Sequence, residues 1–219
     1  AEVIEGGYYK FDIVYPAYTT IYGEEISSGE IEGCILGVPG WVNAENAIAA
    51  SATALLGGLS PQDVKEALKV FSGVERRFDI HLNTPKITYI DDYAHHPKEI
   101  SSAISSIRNI FPGRKLCGIF QPHLYTRTRD FAPEFAESLS KLDELILLDI
   151  YPARELPIEG VTSEIIFNDV TIENKVLIHK EEVLDTLETR ELDVVITFGA
   201  GDIDRLIPSI KELLQNKTR

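Results

Sequence analysis

The sequence predicts an α/β fold: a mostly parallel sheet with helices on both faces, preceded by a shorter segment of strands and two helices. Three observations carry this. From about residue 86 onward, short apolar runs alternate with amphipathic stretches in the order β-α-β-α-β and later β-α-β-α. The strand runs, such as "KLCGIF" and "ELILL", are almost continuously apolar, as strands covered on both faces must be. Upstream of Gly73 the pattern is different, with aromatic and alternating runs followed by two helix-forming stretches. The boundary is therefore expected near Gly73 or Val74, giving segments 1–73 and 74–219.

Residues 1–36 read as strands and turns: "YYKFDIVYP" is aromatic and β-branched, and "GEIEGCILGVPG" alternates before its glycines. "NAENAIAASATALLGGL" is Ala-rich, with Asn43 as the expected N-cap and Gly57-Gly58 as the stop. The next helix has the strongest local signals. Ser60 caps it, Pro61 occupies its first turn, Asp63 stands at the capping-box position and Gly73 ends it.

"RRFDIHLNT" and "KITYIDDY" then read as two strands. Pro97 opens a helix whose apolar stripe is Ile100, Ile104, Ile107 and Ile110. "KLCGIFQP" is a strand, "DFAPEFAESLSKL" a helix and "ELILLDIYP" a strand. "KVLIH" and "DVVITFGAG" are strands, "EEVLDTLET" and "DIDRLIPSIKELLQ" helices. Parallel sheets bind ligands at the carboxyl ends of their strands. Here those ends read "DDYAHH", "QPHLYTRTRD", "YPARE" and "FGAGD", so His- and Arg-rich loops should collect along one edge.

Composition bounds the function. A net charge of −14 argues against a nucleic-acid-binding surface and against binding to anionic membranes. A few placed arginines or a helix N-terminus could still hold a phosphate. Cys34 and Cys117 lie in apolar strand-like runs with no zinc spacing, and are expected to be buried free thiols in a reducing compartment. The chain carries no secretory signal, and its most apolar stretch, Ala47 to Leu59, is too short to span a bilayer. A soluble, cytoplasmic protein is expected. The sequence has no methionine and opens without an obvious beginning, so a piece of a longer protein is expected.

The segment "YIDDYAHHPKEI" crowds two acids and two histidines together. Adjacent strand residues point to opposite faces, so Asp91 and Asp92 cannot both face one ion. A His-His pair without a third spaced ligand is also weak, and no metal site is expected. His95 falls at the strand end and is read as facing a substrate. His96, held extended by Pro97, and Asp91 are read as structural.

In "IFQPHLYTRTRDFAPEF", His123, Tyr125, Arg127 and Arg129 follow an apolar strand directly. Guanidinium forks suit a carboxylate or phosphate. The same residues could also form a solvated loop in this acidic chain, with Asp130 capping the following helix. Of Arg76 and Arg77, one is expected to face inward and the other solvent. "FGAGD" permits either an anion-facing turn or a purely structural one. No G-x-x-x-x-G-K-[ST], G-x-S-x-G or H-E-x-x-H occurs, so any phosphate loop must lie outside these 219 residues.

Taken together, "RRFD", "DDYAHHPKE", "FQPHLYTRTRDF", "YPARE" and "FGAGDI" resemble, in order and spacing, the motifs of the Mur ligase family. "GVPGWVNAENAIAA" is similar to that family's G-x-H-N-x-x-N helix start. The resemblance spans nearly the whole chain and is strongest to the branch that joins L-alanine to UDP-N-acetylmuramate in peptidoglycan synthesis. It implies that residues 1–73 are the end of a central ATP-binding domain without its phosphate loop, and that residues 74–219 are a C-terminal Rossmann-like domain.

The implied chemistry is ATP-dependent activation of a carboxylate as an acyl phosphate, assisted by Mg²⁺, and attack by the amino acid's amine. The C-terminal domain would close over the nucleotide and deliver that amino acid. Position by position, the resemblance places Asn43 and Asn46 near adenine, Arg77 at the nucleotide and Asp92 at the ribose. It places Tyr93, His95 and Arg127 around L-alanine and the substrate carboxylate, with His123 beside them. Two positions depart from it: Val42 stands where the family has His, and Leu124 where it often has Arg. Two other readings remain. One is a recycling ligase that joins a murein tripeptide to the same sugar; the other is a stand-alone, non-catalytic α/β binding module.

Overall fold

The computed structural model describes residues 1–219, apart from the side chain of Glu5. It divides into two compact units, Ala1–Gly73 and Val74–Arg219.

The first unit contains β1 (Glu2–Ile4), β2 (Tyr8–Tyr15), β3 (Tyr18–Thr19), β4 (Glu25–Ile26), β5 (Gly29–Ile35), α1 (Trp41–Leu56) and α2 (Pro61–Val70). β2 pairs antiparallel with both β1 and β5, while β3 and β4 form a separate ribbon. Alternation along β2 sends Tyr9, Phe11 and Ile13 inward. They meet Ile31 and Cys34 of β5, Ala44, Ala47 and Leu55 of α1, and Val64 and Leu68 of α2.

The capping box of α2 forms: Ser60 Oγ accepts from Asp63 N at 3.1 Å and the Asp63 carboxylate accepts from Ser60 N at 3.3 Å, a pairing worth about 1 kcal/mol. The start expected for α1 is corrected. The helix begins at Trp41, and its N-cap is Gly40, with φ 98°. Only glycine takes that backbone turn without strain. Asn43 therefore lies inside the first turn, where its Nδ2 donates to Pro39 O at 2.7 Å.

The second unit contains β6 (Asp79–Asn83), β7 (Thr88–Asp92), α3 (Pro97–Ile110), β8 (Leu116–Phe120), α4 (Tyr125–Asp130), α5 (Ala132–Leu139), β9 (Glu144–Leu148), α6 (Glu164–Phe167), β10 (Lys175–Ile178), α7 (Val183–Glu188), β11 (Val194–Phe198) and α8 (Ile207–Thr218). The six-stranded sheet runs β10-β9-β8-β11-β7-β6. All its pairings are parallel except β6 with β7, so the predicted mostly parallel α/β sheet is present.

Strand alternation sorts its two faces. Leu116 and Phe120 of β8 pack with Ile90, Leu145, Leu147, Ile196 and Phe198 against α3, α5 and α6. Cys117 and Ile119 pack with Tyr89, Ile146, Leu148 and Val195 against α7 and α8. Both cysteines are buried and free.

Two further expectations are corrected. The arginine-rich stretch after β8 is helical, as α4, and Asp130 does not cap α5. Its carboxylate takes Arg129 Nε at 2.8 Å, because the adjacent guanidinium is the stronger donor. The last helix opens with a 3₁₀ segment, Asp202–Leu206, before α8. Among the described residues, no helix is long and apolar enough to cross a membrane.

One buried polar chain fastens the second unit's first loop to the centre of its sheet. Asp91 is fully buried. Its Oδ1 accepts from Thr197 Oγ1 at 2.6 Å and its Oδ2 from Arg76 Nε at 3.1 Å. A carboxylate only accepts, so the Thr197 hydroxyl donates to it. The Tyr89 hydroxyl, 3.2 Å from Thr197 Oγ1, therefore donates in turn. Arg76 Nη2 also donates to Gly199 O at 2.6 Å. Burial pushes the Asp91 carboxyl up, against the pull of Thr197 and Arg76.

Removing one member of a buried ion pair strands the other. Asp91→Ala is therefore expected to lower stability by about 3–5 kcal/mol in urea unfolding. A loss under about 1 kcal/mol would show that Arg76 and Thr197 find other partners.

Candidate functional site

The carboxyl ends of β7, β8, β9 and β11 open into loops along one edge of the sheet. The β7 loop holds Tyr93, His95 and His96. Glu99, in the first turn of α3, accepts both the His95 and His96 backbone N–H groups through Oε2, at 3.0 and 3.1 Å. His96 Nδ1 accepts from Lys98 N at 3.3 Å. His96 is thus the cap of α3, and its ring packs edge-on to Phe131 at 4.9 Å.

His95 is fixed differently. Its Nδ1 lies 2.9 Å from the Tyr93 carbonyl. A carbonyl only accepts, so Nδ1 carries the proton and Nε2 remains the basic nitrogen.

The loop after β8 is zipped to the loop after β9. Leu124 N donates to Tyr151 O at 3.0 Å and Tyr151 N donates to Pro122 O at 2.8 Å, pairing His123 with Tyr151 as an isolated parallel bridge. Leu124 has φ 71° and Ala153 φ 49°, left-handed values that cost a non-glycine residue energy. Here they bend the two exits toward each other.

The aromatic rings form a continuous row. Tyr93 meets His95 at 5.2 Å between ring centres, His95 meets His123 at 6.1 Å, and His123 stacks on Tyr151 at 5.9 Å with an interplanar angle of 18°. The Arg76 and Arg77 guanidinium carbons stand 5.1 and 5.7 Å from the centre of the Tyr93 ring, within cation–π range. Arg76 is the inward member of its pair and Arg77 the exposed one.

His123 Nδ1 is buried without a hydrogen-bond partner. Burial, together with the positive charges of Arg127 and Arg154, lowers the His123 pKa below its usual 6.5. At neutral pH it is therefore an uncharged imidazole with a lone pair available. Arg127 lies on α4, and its guanidinium has no hydrogen-bond or ion-pair partner among the described residues.

Asp92 is turned toward its own backbone. Oδ2 accepts from Phe78 N at 3.0 Å and Oδ1 from Ala94 N at 2.8 Å. Burial pushes its pKa up to about 6, against the pull of those two N–H groups. Asn43 and Asn46 belong to the first unit, on the opening turns of α1. Asn43 has spent one amide hydrogen on Pro39, and Asn46 is exposed.

The structure thus gathers Tyr93, His95 and His123 into one row. It sets Arg77 over Tyr93, brings the charge of Arg127 to bear on His123, and bonds Asp92 to the Phe78 and Ala94 backbone N–H groups. The sequence left open which of Arg76 and Arg77 turns inward and assigned no role to Tyr151 or Glu155, whose signal was their place in "YPARE", a strand end and family motif.

"FGAGD" is explained by packing. A Cβ on Gly201 would lie 2.8 Å from Tyr151 Cβ, and one on Gly199 2.8 Å from Gln121 O. Gln121 in turn accepts from Ile203 N at 3.0 Å and donates to Asp202 at 2.9 Å.

Among the described residues, no group of three or more His, Cys, Asp or Glu is placed to hold a metal ion. The strand-end row is imidazole, phenol and guanidinium, whereas Mg²⁺ prefers oxygen donors. The residues present therefore do not fit a Mg²⁺ site.

Comparison with known proteins follows the same lines. The family description "Mur ligase, glutamate ligase domain" matches residues 76–201. A UDP-N-acetylmuramate–L-alanine ligase of Parabacteroides distasonis is 55% identical over 197 residues, covering 90% of this chain and 42% of that protein. One from Porphyromonas gingivalis is 47% identical over 212 residues, covering 96% of this chain and 46% of that protein. The chain thus spans less than half the length of these relatives.

Among solved structures, UDP-N-acetylmuramate-alanine ligase MurC from Thermotoga maritima superposes with a TM-score of 0.69 at 30% identity, over 84% of this chain and 40% of that one. A murein peptide ligase from Psychrobacter arcticus, at 19% identity and a TM-score of 0.62 over 86% of this chain and 39% of that one, shares the fold. The match over more than half its length shows that this chain belongs to the Mur ligase family.

Proposed function

We propose that this chain serves the ATP-dependent joining of L-alanine to the carboxylate of UDP-N-acetylmuramate, and that its Val74–Arg219 unit holds the amino acid. The observation that carries the reading is the row Tyr93–His95–His123 beside an unpaired Arg127, built on the "DDYAHHP" and "QPHLYTRTRD" strand ends. An α-amino acid presents a carboxylate and an ammonium on the same carbon atom. Arg127 suits the first, through a two-bond guanidinium–carboxylate fork. The second must lose a proton before it can attack. His95 Nε2 and the neutral His123 are both acceptors for that proton.

In the proposed reaction, the γ-phosphoryl group of ATP passes to a carboxylate oxygen of the sugar substrate. The amine nitrogen then bonds to the activated carbonyl carbon, the carbon–oxygen bond to phosphate breaks, and the amine proton leaves through an imidazole. The chain's contribution is to bind and orient the amine and to remove its proton. Arg77 and the exposed amide of Asn46 are its proposed contacts to the nucleotide. Asn43 keeps its carbonyl oxygen for the same purpose, and Asp92 keeps one lone pair on each oxygen for a ribose hydroxyl. No G-x-x-x-x-G-K-[ST] lies within these 219 residues, so phosphoryl transfer is proposed to need residues beyond them.

The deciding experiment supplies the full-length protein with ATP, UDP-N-acetylmuramate and either L-alanine or a murein tripeptide, and measures ADP release. Turnover with L-alanine is expected. A preference for the tripeptide would instead make this a recycling ligase. The 219-residue chain alone is expected to release no ADP under the same conditions, and measurable release from it would overturn the proposed division of labour.

A separate test concerns Asp92. Its folded pKa of about 6 stands above its ordinary 3.8. Between those values the folded chain keeps a proton that the unfolded chain has released, so the Asp92 contribution to stability falls as pH rises from about 4 to about 6. Asp92→Asn removes this titration. The stability lost through that substitution, measured by urea midpoints, should be larger at pH 4 than at pH 7. A loss that grows with pH would mean that the carboxylate is held below, not above, its ordinary pKa.

A further inference from the structure

Helix α4 carries Arg127 but does not cap itself. Its N-cap, Leu124, has φ 71° and offers no side-chain hydrogen bond. The helix is six residues long, too short to hold its own shape in water. The missing cap comes from another loop. Glu155, four residues past Tyr151 on the β9 exit, accepts from Thr126 N through Oε2 at 3.0 Å and from Thr126 Oγ1 through Oε1 at 2.5 Å. These bonds hold its carboxyl below the usual carboxylate range.

Both carboxylate oxygens thereby bond Thr126, the residue preceding Arg127. Glu155 forms no ion pair with Arg127 among the described residues. It fixes the helical turn that carries the guanidinium without neutralising it. The same loop fixes the other side of the row, because Tyr151 stacks on His123 and bridges to it.

We propose that Glu155 is a positioning residue for amino-acid binding: by capping α4 through Thr126 it aims Arg127 at the carboxylate of the incoming amino acid. This rests on the functional reading above, in which Arg127 takes that carboxylate. The role is geometric and not one of charge. A glutamine can reproduce both bonds, its carbonyl oxygen accepting from Thr126 N and its amide donating to Thr126 Oγ1. An alanine can reproduce neither.

The test uses the full-length protein, with initial rates measured against L-alanine and, separately, against ATP. Arg127→Ala should raise KM for L-alanine about a hundredfold, the scale on which lost positioning acts. Glu155→Ala should raise it about tenfold or more, with KM for ATP held within about twofold, while Glu155→Gln stays near wild type. A general loss of folding would lower kcat and disturb both KM values together, which overturns the proposal. So does a Glu155→Gln variant as impaired as Glu155→Ala, because charge would then be the operative property. If Arg127→Ala raises KM and Glu155→Ala does not, the positioning role fails while the functional reading stands. If wild type shows no turnover with L-alanine, or Arg127→Ala leaves its KM unchanged, the functional reading itself fails.

Discussion

The second unit is organised around one buried carboxylate. Asp91 sits on a strand whose two neighbours, β6 and β11, cover both its edges, and it has no route to water. A charge in that place must be paired and fully hydrogen-bonded. Thr197 meets this need from the adjacent strand, and Arg76 from the loop that enters the unit. Arg76 is therefore drawn inward, and it carries with it the start of the chain segment that leads to β6. Its remaining hydrogen bond, to the Gly199 carbonyl, ties that entry to the exit of β11. Arg77, one residue later, is left outside, over the face of Tyr93. The disposition of the whole strand-end edge thus depends on how Asp91 is satisfied.

Around that anchor the electrostatics run against the composition. The chain bears a net charge of −14, yet the loops at this edge gather Arg76, Arg77, Arg127 and Arg154 with His95 and His123. The nearby acids are already engaged: Asp91 by Arg76 and Thr197, Asp92 by two backbone N–H groups, Glu99 by two more, and Glu155 by Thr126. Arg76 is paired with Asp91 and, at 3.6 Å, with Asp204, whereas the acids that cap the backbone form no ion pair with Arg77 or Arg127 among the described residues. Burial first, and the guanidiniums of Arg127 and Arg154 after it, keep the His123 imidazole neutral.

Backbone strain is concentrated in the same place. Arg76, Phe78, Leu124 and Ala153 are the non-glycine residues with positive φ, and all four lie in the loops that frame the row. Each is held by contacts from outside its own segment: Arg76 by the sheet, Phe78 by the Asp92 carboxylate, Leu124 by the Tyr151 carbonyl, and Ala153 within a loop pinned at Tyr151 and Glu155. Such conformations persist only where surrounding structure over-determines them.

Much of this protein was legible in its sequence, because the relevant physics is local. Strand alternation, the Ser60 capping box, the Pro97-opened helix and the clustering of His- and Arg-rich loops after apolar strands all depend on residues within a few positions of one another. So does the family's motif pattern. The start of α1 was misread because the left-handed φ of Gly40 is a backbone property that Asn43, a good cap by composition, concealed. What only the tertiary structure decided is the pairing of distant groups. Arg76 turns inward and not Arg77, Asp92 bonds Phe78 and Ala94, and Glu155 caps a helix through Thr126, 29 positions upstream. Neighbouring arginines and neighbouring aspartates are equivalent in a sequence. They become different only when folding buries one of each pair and leaves it to find a partner.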